Sequence, residues 1–288
     1  MTKDKERIKA SALLLLILFN LIALLIVFDL REDPTSRVLF FDVGQGDGAL
    51  ISTAEGHRIL IDGGPGQKIL PELSSEIPFW DRRIDLVILT HAHADHLSGL
   101  VEVLRRYRVD KILWNGQEAD TLIYNEWAEL IEDHKVKIAA KGQRIDLGEG
   151  YLDVLFPPAD YVFTDDLNEG SVINRLVYDS GAVLFTGDAY KKQEEQLLKW
   201  EKECEEIEKE WCRVMDLPSE ILKAGHHGSS TSSSEIFIER VSPGLVVISA
   251  GKDNRYGHPH RETMETLKNS GADIHKTFSS GSLEIILD

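Results

Sequence analysis

One ten-residue segment constrains this chain more than any other: His91-Ala92-His93-Ala94-Asp95-His96-Leu97-Ser98-Gly99-Leu100. It follows at once on an apolar run, residues 86–90, that has the signature of a buried strand. His91 and His93 alternate along an extended turn, so both rings point the same way. Asp95 and His96 come as the chain turns into a helix beginning near Leu97. Imidazole nitrogen and carboxylate oxygen are the usual ligands of zinc and its neighbours. A helix-capping aspartate beside exposed histidines explains one such residue, but not four at this spacing after a strand. Two pairs on either side of one tight loop suit two metal ions.

Histidines cluster elsewhere too. Of the ten, seven fall in three groups: His91/His93/His96, His226/His227 and His258/His260. His57, His134 and His275 read as surface or structural. Two further strand ends carry candidate ligands. Residues 182–186 run into Gly187-Asp188, and a carboxylate there can bridge two cations, although Gly-Asp is also a common turn. Residues 221–224 run into Gly225-His226-His227-Gly228-Ser229-Ser230, whose glycines allow close backbone approach. Ser233 or Ser234 is placed to cap the next helix.

The N-terminus has a different character. Residues 12–28 carry no charge and a single polar residue, Asn20, and with Ala10 and Ser11 the run approaches the ~20 residues needed to cross a bilayer. No small-residue cleavage site follows, so an uncleaved anchor is expected rather than a signal peptide. Lys3, Lys5, Arg7 and Lys9 outnumber Asp4 and Glu6 ahead of it. The positive-inside rule then places residues 1–11 in the cytoplasm and everything after the anchor outside it. Residues 29–37, with Pro34, read as a linker to a domain at 38–288.

That domain alternates strand-like runs (38–43, 49–52, 58–61, 86–90, 111–114, 152–156, 172–178, 182–186, 221–224, 245–250 and 283–287) with helical stretches at 97–107, 125–134 and 262–270. This is an α/β or α+β pattern with layered sheets. Between 190 and 216 a charged segment places Leu197, Trp200, Cys204, Ile207, Trp211 and Val214 at alternating spacings of three and four, a narrow helical stripe. The stripe packs on its own domain or on a partner helix. Eight residues of helix would hold Cys204 and Cys212 about 12 Å apart, beyond disulfide reach unless the helix breaks. The net charge of −17 argues against a broad nucleic-acid groove, since phosphate binding is driven by lysine and arginine. Bound divalent ions would reverse that sign locally. Glycines at 44–48 are not a nucleotide loop, because no helix follows them.

In combination these motifs resemble the metallo-β-lactamase superfamily, and within it the hydrolase domain of the ComEC/Rec2 competence proteins. The resemblance runs from about residue 38 to 288. It rests on His-x-His-x-Asp-His at 91–96, Gly187-Asp188 and His226-His227-Gly228-Ser229. It also rests on Phe41 to Asp47, Ile61-Asp62-Gly63-Gly64, Asn168-x-x-Ser171, Lys223, Asn254-x-Tyr256-Gly257-His258-Pro259 and the closing turn from Thr277 to Gly281. It implies a four-layer αββα sandwich with metal at one sheet edge. It puts His91 and His93 on one ion and Asp95 and His96 on a second, with Asp188 bridging and His226 as a further ligand. His227 and His258 then lie near the substrate, Asp95 orients or deprotonates the attacking water, and Asp62 steadies a ligand imidazole. Many relatives supply another histidine where this chain has Asn168, Gly170 and Ser171; Asn168, Ser171 and Asn254 are expected around the ions or the substrate. The cofactor implied is a divalent pair, zinc or manganese. A single span sets the chain apart from a channel.

Three functions compete at this stage. The first is a membrane-anchored phosphodiesterase or nuclease acting on single- or double-stranded DNA outside the cytoplasm. The second is a hydrolase of a small cell-envelope phosphoester or another ester. The third is a non-enzymatic anchored scaffold that recruits a partner through 190–216.

Overall fold

The computed structural model describes residues 2–29, 35–207 and 209–287. Residues 30–34 of the expected linker and the side chains of Lys3, Asp4 and Glu6 lie outside that description. The chain divides into two units, Met1–Thr35 and Ser36–Asp288. The first is a single helix, α1 (Thr2–Asp29). Its stretch Arg7–Leu25 has a mean hydropathy of 2.4 over 19 residues, long and apolar enough to cross a membrane. It is apolar on every face, as a helix surrounded by lipid would be and an amphipathic surface helix would not.

The second unit is built on two seven-stranded sheets. The first contains β1 (Ser36–Phe40), β2 (Ala49–Ser52), β3 (Arg58–Ile61), β5 (Leu86–Leu89), β7 (Lys111–Trp114), β8 (Lys135–Ile138) and β16 (Leu283–Leu287), in the order β16-β1-β2-β3-β5-β7-β8. The second contains β9 (Arg144–Asp146), β10 (Tyr151–Phe156), β11 (Ile173–Tyr178), β12 (Gly181–Phe185), β13 (Ile221–Lys223), β14 (Leu245–Ile248) and β15 (Asp273–Lys276), in the order β15-β14-β13-β12-β11-β10-β9. A short parallel pair, β4 (Arg83–Ile84) and β6 (Arg108–Val109), stands apart. Each sheet is half antiparallel and half parallel: β3, β5, β7 and β8 run together in one, and β12 to β15 in the other.

Side-chain alternation builds the layers. Val38, Phe40, Ile51, Ile59 and Ile88 face the second sheet, where they meet Leu176, Val183 and Phe185; Phe40 stacks on Phe185 at 5.6 Å. Their neighbours Leu39, Leu50, Leu60, Val87 and Leu89 face outward onto α2 (Ile69–Glu76), α3 (Ala94–Arg106) and α4 (Leu122–Ile131). On the other side Leu184, Leu222, Val246 and Ile248 pack under α5 (Lys191–Glu206), α6 (Glu235–Val241) and α7 (Arg261–Asn269). A one-turn helix, α8 (Thr277–Ser280), precedes the last strand. The result is the expected αββα sandwich, with three apolar cores between four layers.

The charged segment at 190–216 is not one helix. α5 ends at Glu206, Ile207 is extended, and Glu210–Val214 forms a separate 3₁₀ turn. The reversal returns Cys212 to Cys204, where a disulfide joins them with Cα atoms 5.4 Å apart. The 12 Å separation held only for an unbroken helix. Folding back brings Trp211 over Lys141, whose ammonium lies 3.5 Å from that ring and 3.6 Å from Trp200, and buries Val214. Leu197, Trp200, Cys204, Trp211 and Val214 all join the outer core. Ile207 stays exposed; the other five residues of the stripe are used within the domain. At α6, no Ser234 side-chain bond caps the helix. Glu194 of α5 takes that place, accepting from the Ser233 and Ser234 amides at 2.5 and 2.9 Å.

Candidate metal centre

Parallel strands end together, and crevices beyond their carboxyl ends are where open α/β sheets bind ligands. Here β3 leads to Asp62, β5 to Thr90 and His91, β12 to Asp188, β13 to the turn Gly225–Gly228, and β14 to Ser249 and the loop after it. These ends meet along one edge of the sandwich. The hairpin between β1 and β2 closes it from the side. At Gly46, φ is +137° and an added Cβ would stand 2.1 Å from the Asp95 carbonyl oxygen. Only glycine lets the hairpin press on the start of α3 and deliver Asp47. In the Gly225–Gly228 turn, His226 and His227 adopt φ of 46° and 56°. Such left-handed backbone is costly for a side-chain-bearing residue and is a mark of functional turns. It sets the two rings 6.1 Å apart and 61° out of plane.

Five imidazoles are anchored through Nδ1. His93 donates to Asn168 Oδ1 (2.8 Å), His96 to Asp62 Oδ2 (2.8 Å) and His227 to the Ser249 carbonyl (2.9 Å). The Thr90 hydroxyl donates to Asp62 Oδ2 and so accepts from His91 (3.0 Å). The Thr231 hydroxyl donates to Ser229 Oγ and so accepts from His226 (3.0 Å). Every partner accepts, so each Nδ1 carries hydrogen and each neutral ring presents an Nε2 lone pair, the tautomer a metal needs.

Distances among the free atoms are those of a coordination shell. His227 Nε2 lies 3.3 Å from Asp95 Oδ2 and 3.4 Å from Asp188 Oδ2, and His96 Nε2 lies 3.4 Å from Asp188 Oδ1. Ligands ~2.0–2.1 Å from a tetrahedral ion stand about 3.3–3.4 Å from one another. His91 Nε2 and His226 Nε2 are each 3.8 Å from Asp188 Oδ2. The Nε2 atoms of His91, His96 and His227 and Oδ1 of Asp188 are buried without a hydrogen-bond partner. Buried polar atoms in folded proteins are nearly always partnered; a cation would satisfy all four. Asp47, His96, Asp188 and His227 form one buried group able to hold a metal. Within it Asp47 faces the Nδ1 edge of His227 (3.3 Å) and pairs with Lys223 at 2.6 Å, so it orients that ring and leaves Nε2 to the ion.

The electrostatics point the same way. Burial alone would push the Asp188 carboxyl up, but the His227 and His96 rings beside it hold it well below the usual range. Burial opposes charge on His96 and on His227, yet Asp188 and the other carboxylates around them raise both well above an ordinary imidazole. His91, buried and next to His96, is pushed well down. Desolvation raises Asp62 despite its bonds from His96 and Thr90. Four carboxylates and one lysine in a largely buried space demand further positive charge. Protons on His96 and His227 supply it when no ion is bound, and a divalent ion would replace them.

The metallo-beta-lactamase superfamily family model matches residues 41–252. The chain belongs to the metallo-beta-lactamase superfamily. Its curated relatives include ComE operon protein 3 of Bacillus subtilis, 25% identical over 275 residues that cover 86% of this chain and 32% of that protein. Competence protein ComA of Neisseria gonorrhoeae is 30% identical over 253 residues, again 86% of this chain and 32% of the relative. Recombination protein 2 of Haemophilus influenzae is 27% identical over 266 residues, 91% and 30%. The chain thus spans about a third of the length of these relatives. Among solved structures, the metallo-beta-lactamase fold protein YhfI from Bacillus subtilis superposes with a TM-score of 0.56 at 13% identity, covering 87% of this chain and all of that one. Zn(2+)-bound PqqB from Methylobacterium extorquens gives 0.53 at 11%, covering 86% and 99%. Both share the superfamily fold.

Most residues singled out from sequence converge here. His91, His93, Asp95, His96, Asp188, His226 and His227 meet around one space, and Asp62 bonds His96. His227, expected nearer the substrate, is 1% exposed and sits among Asp95, His96 and Asp188. Asn168 bridges His93 and the Tyr190 hydroxyl (2.9 Å). Ser171 Oγ accepts from the Asp188 amide. Asn254 is turned away from the ligands: its side chain bonds the Gly251 and His258 carbonyls and the Tyr256 and His258 amides. Asp47 was quoted in a motif and given no role; its pairing with Lys223 is not visible along the chain. Tyr190 carried no sequence signal.

Proposed function

We propose that this superfamily member is a metal-dependent phosphodiesterase that acts on DNA outside the cytoplasm, held to the membrane by α1. The observation that carries the hydrolase reading is the convergence of unpartnered Nε2 atoms and Asp188 at coordination spacing. Asp95, His96, Asp188 and His227 are the residues to hold one divalent ion; His91, His93 and His226, with Asp188 between, are those to hold a second. Zinc fits these mixed imidazole and carboxylate donors, and manganese accepts the same set. Ions there supply Lewis-acid charge for phosphoryl oxygens and acidify a water.

The chain's own groups do the rest. Asp95 and Asp188 both line the cavity, and Asp95, at 30% exposed against 3%, is the more open of the two. Burial would raise its carboxyl, but the His227 bond and the His96 and His227 charges hold it far below the ordinary range. An ionised carboxylate there would orient a water by accepting its hydrogen bond. His258, lowered to about 4 by burial and then by His226, is neutral at physiological pH. It offers the substrate an uncharged imidazole at the mouth of a cavity of about 310 Å³. The DNA assignment draws on the competence and recombination relatives. The Cys204–Cys212 disulfide supports an extracytoplasmic domain, because such bonds persist in oxidising compartments, and so does the lysine-rich start of α1 ahead of its apolar stretch.

A second reading, hydrolysis of a small cell-envelope phosphoester, is favoured by the net charge of −17, which repels long polyanions. The test is metal analysis of the full chain, with turnover of bis(p-nitrophenyl) phosphate and of labelled DNA, beside Asp188→Ala. Bound divalent metal and cleavage of both substrates are expected. Absence of bound metal sinks the hydrolase reading, and turnover of the small diester alone leaves the second reading.

A further inference from the structure

The loop 251–260 lines the metal pocket without supplying any of the close-set ligands. Asn254 makes it rigid, through four side-chain bonds of 2.6 to 3.1 Å that span Gly251 to His258. Tyr256 is held in this loop by its backbone bond to Asn254. The residue is 49% exposed; it lines the pocket beside Gln45, His93, Asp95 and Asp188, and its ring lies nearly parallel to His258 (21°, centroids 5.5 Å apart). His258 in turn meets the His226 ring at 5.3 Å. An exposed aromatic is thus held beside the ligand histidines. The exposed Arg255 bonds the Tyr256 hydroxyl at 2.8 Å, and its guanidinium lies 4.9 Å from the ring centroid.

Gln45 stands on the far wall. Its Oε1 accepts from the Gly251 amide at 3.0 Å, while its Nε2 is buried with no hydrogen-bond partner. Beyond Gln45 opens a second cleft of about 670 Å³ that Gln45 also lines, with Lys68 and Lys252 among its walls. Asp42 and Asp253 line it too, so the two lysines are matched in number and the cleft does not attract a polyanion by charge alone. Asp42 is turned toward its own loop, accepting from the Gly44 amide at 3.2 Å.

We propose that Tyr256 is a stacking platform for an unpaired nucleic-acid base next to the phosphate at the metal centre, and that the strand continues past Gln45 into the Lys68–Lys252 cleft. This rests on the phosphodiesterase reading and narrows its substrate to single strands. Aromatic faces bind unpaired bases of any sequence, and a base within a duplex has no free face to offer. Tyr256 is a binding residue in this scheme, and Gln45 Nε2 is the directed donor that meets the backbone between the two cavities. Recognition by stacking and directed donors also fits a chain whose overall charge disfavours a broad basic groove.

Fluorescence anisotropy of the full chain in detergent micelles tests this, with three labelled probes: a twelve-residue oligothymidylate, the same strand with abasic residues, and a duplex. Wild type, Tyr256→Phe, Tyr256→Ala and the double variant Lys68→Gln/Lys252→Gln are compared, and turnover of bis(p-nitrophenyl) phosphate is followed in parallel. Wild type and Tyr256→Phe are expected to bind the thymidylate about tenfold or more tighter than the abasic strand, and tighter than the duplex. Tyr256→Ala is expected to lose that preference, and the lysine pair to lower affinity for both single strands alike. Equal binding of thymidylate and abasic strands by wild type, an unchanged Tyr256→Ala, or no binding at all overturns the proposal. Small-diester turnover separates the two readings. Turnover without base-dependent binding leaves the phosphodiesterase standing and removes the platform; base-dependent binding without turnover does the reverse.

Discussion

The two sides of Asp188 are built to different standards. On one side Asp95, His96 and His227 stand at 3.3 to 3.4 Å from one another or from Asp188. His227 and His96 are each backed by a buried acceptor, and one of those acceptors, Asp62, is itself fixed by two bonds from Thr90. On the other side His91 and His226 approach Asp188 only to 3.8 Å, and His93 leans on an amide, Asn168, that also donates to the Tyr190 hydroxyl. The position where relatives are expected to place another histidine holds Asn168, Gly170 and Ser171. Each half takes one histidine from the same strained turn, His227 on the close-set side and His226 on the other. The lesson is that two groups of donors sharing one carboxylate need not be equally close-set.

Several measurements would break or sharpen that contrast. The largest effect is expected from Asp188→Ala, the residue common to both halves: loss of both ions by mass spectrometric metal analysis and a fall in diester turnover of about 10²–10³-fold or more. Retention of one full equivalent would remove Asp188 from the shared position. Next, His227→Ala and His91→Ala should differ. The first is expected to empty the tight half and with it most thermal stabilisation by added metal; the second should leave about one equivalent bound. Equal losses from the two variants would erase the distinction.

Proton release gives a third test. His96 and His227 are raised above an ordinary imidazole, so near neutral pH the ion must displace their protons; His91 is lowered and has none to lose. Metal binding at the tight half should therefore weaken as pH falls through the region where those two rings hold protons. Titration calorimetry in buffers of different ionisation enthalpy should count protons released there, and fewer for the second ion. Asn168→Ala, which removes the backing of His93 and the bond to the Tyr190 hydroxyl, is expected to weaken the looser ion by about 10–100-fold, with the tight ion unmoved. Smallest of all, reduction of Cys204–Cys212 should lower stability by about 2–3 kcal/mol through a short loop and leave metal content unchanged.

The legibility of this chain from its sequence follows from the range of each interaction. Strands such as β2, β3 and β7 were readable to the residue, because period-two burial between two cores leaves an unambiguous pattern. The loop His91 to His96 was readable because its ligands are neighbours in sequence. What was hidden depended on long-range partners. The break after Glu206 is favoured by Lys141, more than 50 residues away, which settles between Trp200 and Trp211. The capping of α6 belongs to Glu194 on another helix. Asp47 matters through Lys223 and His227, and nothing in its own hairpin says so. β8 and β9 are short edge strands whose composition does not separate them from loop, and Asp273–Lys276 earns its place only by pairing with β14.

The mirrored layout of the sheets has a consequence for how the molecule holds together. His91, His93, Asp95 and His96 belong to the first sheet; Asp188, His226 and His227 belong to the second. Any ion gripped by both sets is a cross-link between segments roughly a hundred residues apart, closing a loop whose entropy grows only slowly with its length. Such an ion would act as a rivet through the seam of the sandwich. Its departure would set the two half-domains free to breathe before either of them melts, so hydrogen exchange at the amides of β5 and β12 should quicken on chelation while those of β1 and β16 keep their pace.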